Sequence, residues 1–199
     1  MTLREFREKL QALMDVPGLR PFVCGGSPLA ARVFVVGFNP ATSMDQPFWH
    51  YWRDETGFNK QLFMRDYLLK RGLNEPEGVR ARIERIVSQL PRGAAVETNI
   101  CSLPTRTAAE LRSEQRATRV FRFLLEAIRP RIVYVHSTEP VRYFESLTGV
   151  RGFDSGTPVE AAHGGHRFQL LGTLGPLFRM GYGDAEALGR RLAGLLEAA

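Results

Sequence analysis

With only two cysteines in 199 residues, Cys24 and Cys101, the chain cannot build a disulfide scaffold or a four-cysteine zinc or iron–sulfur centre. Its four histidines are scattered without ligand spacing, so no metal is expected. No apolar run approaches the ~18 residues that a membrane span requires. The N-terminus reads Thr2-Leu3-Arg4-Glu5-Phe6, the pattern of a capped amphipathic helix and not of an export signal, which makes the cytosol the expected compartment. Lysine is nearly missing as well. Lys9, Lys60 and Lys70 are the whole set, so arginine supplies 24 of the 27 basic residues behind a net charge of +6. Arginine's planar fork of donors matches phosphate oxygens, which admits nucleic acid as a partner. An arginine-biased composition yields the same charge without one.

What remains is the composition of an ordinary globular chain, 44% hydrophobic and 24% charged. Helical and strand-like periods alternate without repeats, low-complexity tracts or a linker. That alternation predicts a single α/β domain over residues 1–199, a three-layer α/β/α sandwich around a central four-stranded, mostly parallel sheet. Strands are expected near 32–37, 94–99, 131–136 and 167–173, and helices near 2–15, 58–72, 76–90, 106–128, 138–148 and 184–197. Residues 41–57 and 149–165 fit no regular element. The first of these carries Phe48, Trp49, His50, Tyr51 and Trp52. Such rings either line a pocket or cover a sheet edge.

Three segments carry chemistry. The β-branched run Val33 to Val36 stops at Gly37 and a polar loop, Phe38-Asn39-Pro40-Ala41-Thr42. This reads as a buried parallel strand delivering Asn39 to the carboxyl edge, where open α/β sheets bind their ligands. Ala95-Val96-Glu97-Thr98-Asn99 repeats the pattern and ends in a turn containing Pro104, so two primary amides are expected at one crevice. An amide offers donors and an acceptor together and reads the paired groups on a pyrimidine's Watson–Crick edge. Taken singly, a strand-end asparagine also serves as a turn former. In the third segment the strand ending at Thr173 breaks into Leu174-Gly175-Pro176-Leu177-Phe178-Arg179. Apolar residues beside an arginine on a loop suit a wedge into stacked bases, and equally suit packing under the C-terminal helix.

Together these segments resemble the uracil-DNA glycosylase superfamily, closest to its mismatch-specific and single-strand-selective branches with a Gly-x-Asn-Pro first motif. The resemblance spans residues 22–197. It implies that Gly37-Phe38-Asn39-Pro40 is the first motif, with Asn39 positioning the hydrolytic water and Gly37, Phe38, Pro40 and Ala41 around the substrate. It further implies that Phe48 stacks on a flipped base, that Asn99 reads the pyrimidine, that Thr173 is catalytic and that Leu177 intercalates. Two departures matter. Thr173 stands where the family places a histidine or asparagine, and losing one preorganised donor costs on the order of 10²–10³ in rate; His163 or His166 are the histidines near enough in sequence to substitute. Ala41 stands where the strictly uracil-selective branch has a bulky tyrosine, which implies tolerance for 5-substituted bases.

The activity implied is that of a monomeric DNA glycosylase of base excision repair. It would hydrolyse the N-glycosidic bond of uracil or a related damaged pyrimidine, in duplex with the base flipped or in single-stranded DNA. No metal or organic cofactor and no membrane is implied. Two other readings stay open: a catalytically weak or inactive protein of the same fold that binds nucleic acid or a nucleobase, and an α/β protein that binds a small nucleotide or nucleoside.

Overall fold

The structure is a computed structural model and describes residues 1–198. Along the chain it forms α1 (Leu3–Leu13), β1 (Phe22–Cys24), β2 (Val33–Gly37), β3 (Trp52–Arg53), β4 (Gly57–Phe58), α2 (Lys60–Arg71) and α3 (Gly78–Ser88). There follow β5 (Ala95–Asn99), α4 (Arg119–Ile128), β6 (Ile132–His136), α5 (Thr138–Thr148), β7 (Val159–His163), β8 (His166–Thr173) and α6 (Tyr182–Ala198). Local chemistry sets several of these ends. Thr2 and Glu5 form a reciprocal capping box on α1, and the Asn59 side chain accepts from the Leu62 N–H at the start of α2.

The four strands expected from the sequence pair in parallel, β5 with β2, β2 with β6 and β6 with β8. Every residue of β2, β5 and β6 is buried, as expected where helices cover both faces of a parallel sheet. On one face Val33, Val35, Ile132, Tyr134 and Leu171 pack against Ile83 and Ile86 of α3 and against Ala185 and Leu192 of α6. On the other, Phe34, Val36, Val133, Val135 and Leu170 meet α1, α4 and α5. Among the described residues, no helix is long and apolar enough to cross a membrane.

The α/β/α layering is as expected, but the sheet has six strands, not four, in the order β1-β5-β2-β6-β8-β7. Both additions are antiparallel edge strands. β1 is only three residues long, too short to show a period. β7 buries Ala161 alone, so its sequence lacks the apolar alternation that marks a half-buried strand; a two-residue turn, Gly164-Gly165, with both glycines at positive φ, joins it to β8. The helix expected over 106–128 begins only at Arg119. Upstream of it, Glu110 and Gln115 side chains accept from the backbone N–H groups of Arg106 and Arg112, and such local bonds compete with helical ones.

The closest helix contact is made by α3 and α6. A Cβ placed on Gly189 would lie 2.5 Å from the Ile86 carbonyl oxygen and 2.8 Å from the Gln89 side chain. Gly189→Ala should therefore destabilise the protein by about 1–3 kcal/mol through overpacking, despite alanine's better helix propensity. Urea denaturation checks this; a rise in midpoint would show that the two helices have room to separate.

Candidate functional site

Parallel pairing places strand ends side by side, and here it gathers the chemistry. Asn99 pairs with Gly37, and His136 pairs with Thr173. Gly37 follows Val36, which pairs with Val135, so the carboxyl edge reads Asn99, Gly37, His136, Thr173 across four strands. These residues, Thr173 excepted, border a cleft of about 400 Å³ together with the loop after β2, the start of α5 and the Pro176–Phe178 turn. Gly37 is the gap that lets its neighbours converge. A Cβ there would lie 2.7 Å from Asn99 Oδ1 and 3.1 Å from His136 Nε2.

Asn39 is held from the facing loop. Its Nδ2 donates to Thr105 Oγ1 at 2.8 Å and to the Thr105 carbonyl at 3.0 Å, while the Thr105 N–H donates to the Pro40 carbonyl at 3.0 Å. With both amide hydrogens engaged, Oδ1 is the atom left for a ligand. Asn99 is buried at the cleft floor, and among the described residues no side-chain hydrogen bond fixes which way its amide faces. Phe38 borders the cleft with the Arg116 guanidinium 5.5 Å from its ring centroid, and Pro40 and the exposed Ala41 complete that wall.

Two expected site residues, Phe48 and Thr173, sit outside the cleft, and Leu177 meets it only from a buried position. Phe48 is buried in the aromatic cluster behind β1, edge-on to Phe22 at 5.0 Å and stacked on Phe58 at 5.4 Å. The rings of residues 48–52 thus cover the sheet edge, where burying aromatic area outweighs exposing it. Thr173 turns its hydroxyl to Tyr134 Oη at 3.0 Å and does not border the cleft. Leu177 is 1% exposed, packed in the core that α3 and α6 share, whereas its neighbour Phe178 is 55% exposed at the cleft mouth. His163 and His166 lie at the opposite, amino-terminal end of β8, facing Glu126 and the Pro130 carbonyl.

The sequence reading passed over His136. Its signal was available: a strand ending Tyr-Val-His-Ser presents its last residue to the same edge as Asn39 and Asn99. Burial drives its pKa down to about 4, against a smaller upward pull from Glu97, so the imidazole is neutral near pH 7. Its Nδ1 lies 3.4 Å from Ser137 Oγ; the tautomer that accepts there leaves Nε2–H as a donor over Gly37. Ser137 itself holds φ 76° and ψ 159°, a region that residues other than glycine occupy at a cost of order 1–3 kcal/mol and mostly at functional sites.

Glu97, two residues before Asn99 and on the same face, is likewise buried. Arg80 of α3 grips it with both terminal nitrogens. Burial alone would raise the Glu97 pKa, but Arg80 and then Arg20 outweigh that and hold the carboxyl below its ordinary value. Among the described residues, no group of three or more His, Cys, Asp and Glu side chains could hold a metal ion. The chain matches no known family model, and no curated protein is significantly similar to it.

The His136 environment sets a pH dependence. Unfolded, the imidazole takes up a proton near pH 6.5; folded, it resists until about pH 4. Between those values the unfolded state binds the extra proton, so stability present above pH 6.5 is lost as pH falls towards 4, by up to on the order of 3 kcal/mol. His136→Asn should flatten that slope. Urea midpoints at about pH 7 and about pH 4.5 measure it; parallel pH curves for the two proteins would assign the slope to another group.

Proposed function

We propose that the cleft hydrolyses the N-glycosidic bond of uracil or a related damaged pyrimidine in DNA, as a glycosylase of base excision repair. The observation that carries this reading is the pinning of Asn39 by Thr105. An amide with both hydrogens committed presents a carbonyl oxygen and nothing else, which suits a residue that orients water.

A carboxamide cannot deprotonate water. The C1′–N bond must therefore lengthen first, its electron pair moving onto the base while the sugar gains oxocarbenium character. Asn39 Oδ1 holds water for attack on C1′, which becomes bonded to the water oxygen. A water proton passes to solvent, and the departing base is protonated on release. Charge building on the base oxygen meets a neutral His136 donor in a buried site, where such a hydrogen bond acts strongly. His136 thus supplies a donor in place of Thr173, whose hydroxyl is turned to Tyr134, one strand away from the position expected. Asn99 faces the base's polar edge, and Phe38 takes over from Phe48 as the ring available for stacking. The exposed Ala41 leaves space for a 5-substituent.

DNA as the substrate is supported by the arginine-dominated charge and by exposed apolar side chains beside the cleft, Phe178 and the 50% exposed Leu174. The wedge role passes from Leu177 to Phe178. Phe178→Ala should lower activity on duplex more than on single strands, since only a stack needs opening. Leu177→Ala should instead cost stability, about 2–4 kcal/mol for a buried leucine. Comparing both variants on both substrates, with melting curves, separates the roles; equal loss on duplex and single strand for Phe178→Ala would remove the wedge.

The deciding experiment incubates the protein with a labelled oligonucleotide carrying one uracil, opposite guanine or single-stranded, and then cuts abasic sites with alkali. Cleavage is expected, abolished in Asn39→Ala with binding retained, and reduced on the order of 10²–10³ in His136→Ala. Thr105→Val should lower kcat with little change in KM, and Thr105→Ser should restore it. An absence of abasic product with every base tested would sink the hydrolase reading.

A further inference from the structure

One cation in the cleft has no part in the reaction just described. Arg20, two residues before the start of β1, is anchored by its backbone N–H to the Ser102 carbonyl at 2.8 Å. Its side chain is 8% exposed and borders the cleft beside Asn99. A guanidinium has five N–H donors, and among the described residues the protein acceptor it meets is the Thr42 carbonyl, at 3.2 Å. The nearby carboxylate, Glu97, is already gripped by Arg80. Arg80 also reaches the half-buried Glu84 at 3.3 Å, which Lys60 holds at 2.6 Å, so across Arg20, Arg80, Lys60, Glu84 and Glu97 one positive charge is in surplus, and Arg20 at the cleft border keeps donors without a protein acceptor among the described residues. Burial lowers the Arg20 pKa to about 10, with Glu97 pulling upward and Arg80 pushing down. Open donors on a buried cation favour a ligand that brings oxygen acceptors.

The chemistry at Asn99 makes this consequential. An amide turned by 180° exchanges its donor and acceptor, and nothing described fixes the Asn99 amide, so alone it serves the edge of uracil and, after turning, that of cytosine. Arginine has no acceptor and cannot invert. We propose that Arg20 is a specificity-determining residue that restricts the cleft to oxo-substituted bases and rejects their amino-substituted counterparts. The inference rests on the glycosidase reading of the same cleft. An exocyclic carbonyl oxygen accepts from Arg20, whereas an exocyclic amino group sets donor against donor, with both stripped of water. A volume of about 400 Å³ admits one-ring and two-ring bases alike, so the preference applies to uracil over cytosine and to hypoxanthine over adenine.

The test measures equilibrium binding by fluorescence anisotropy, in an Asn39→Ala background that prevents turnover. The probes are duplexes in which uracil, cytosine, hypoxanthine or adenine faces an abasic analogue. The two oxo bases should bind roughly 10- to 100-fold more tightly than the two amino bases. Arg20→Gln, whose amide can turn, should reduce the preference to about twofold or less, while Arg20→Lys, still donor-only, should retain it. A folded Arg20→Gln protein that keeps the preference overturns the inference, as does a folded Arg20→Lys protein that loses it. Equal binding of all four bases before any change at Arg20 overturns it without need of the variants. If uracil is still cleaved in these cases, the glycosidase reading stands; if none of the four duplexes binds and no abasic product forms, both fall.

Discussion

The register of four parallel strands is the constraint on which the rest depends. A strand alternates its side chains between faces, so a slip of one residue in β2, β5 or β6 would send Asn99 or His136 to the wrong side and place a valine or threonine in the cleft. What prevents the slip is apolar packing far from any polar chemistry. Val33, Val35, Ile132 and Tyr134 are each 1% exposed or less beneath α3 and α6. Moving them would expose several side chains, each worth about 1.5–3 kcal/mol of burial. The core thus fixes the register, and the register fixes a row of polar groups around the one residue without a side chain, Gly37.

Above that row the molecule tolerates features that a purely structural sheet avoids. A carboxylate and two arginines are buried together, a histidine is held neutral, and Ser137 occupies a backbone region suited to glycine. Replacing a buried ion pair with well-packed apolar residues is often neutral or stabilising, so the Arg80–Glu97 pair is poorly explained by stability alone. Concentrating these costs at one sheet edge is what a site with tuned electrostatics requires. The neutral state of His136 follows from the same arrangement: burial removes the proton, and the opposing pull of Glu97 is too weak to restore it.

The architecture was legible where hydrophobic periods were long. The four parallel strands and the α/β/α layering follow from runs such as Val33 to Val36, and the two asparagines were found because each ends such a run. The edge strands were not legible, since β1 has three residues and β7 buries one. Within the site, Phe48 and Leu177 were assigned by sequence position, and tertiary burial decided otherwise. The aromatic cluster gains more from Phe48 inside than the cleft would from its ring, and Leu177 fills a gap under α3 and α6 that Phe178, pointing outward, leaves open. Glu97 in the middle of a strand read as buried was itself a signal, because a charge at such a position is buried only with a partner.

The largest misreading of secondary structure is also the most informative about the site. Residues 106–118 carry enough alanine, leucine, glutamate and arginine to suggest a helix, yet they form two 3-10 turns ahead of α4. The reason lies at Thr105. Its hydroxyl accepts from Asn39 and donates to the Thr107 carbonyl at 2.8 Å, its carbonyl accepts from Asn39, and its N–H reaches back to Pro40. A helix starting at 106 would draw the Thr105 and Thr107 carbonyls into its own ladder, in competition with the bonds they accept from the Asn39 amide and the Thr105 hydroxyl. The segment gives up regular hydrogen bonding, and the side chains of Glu110 and Gln115 recover part of it. What it gains is a wall that holds one carboxamide in a single orientation, and the departure from helix is intelligible only once that wall is seen to face the cleft.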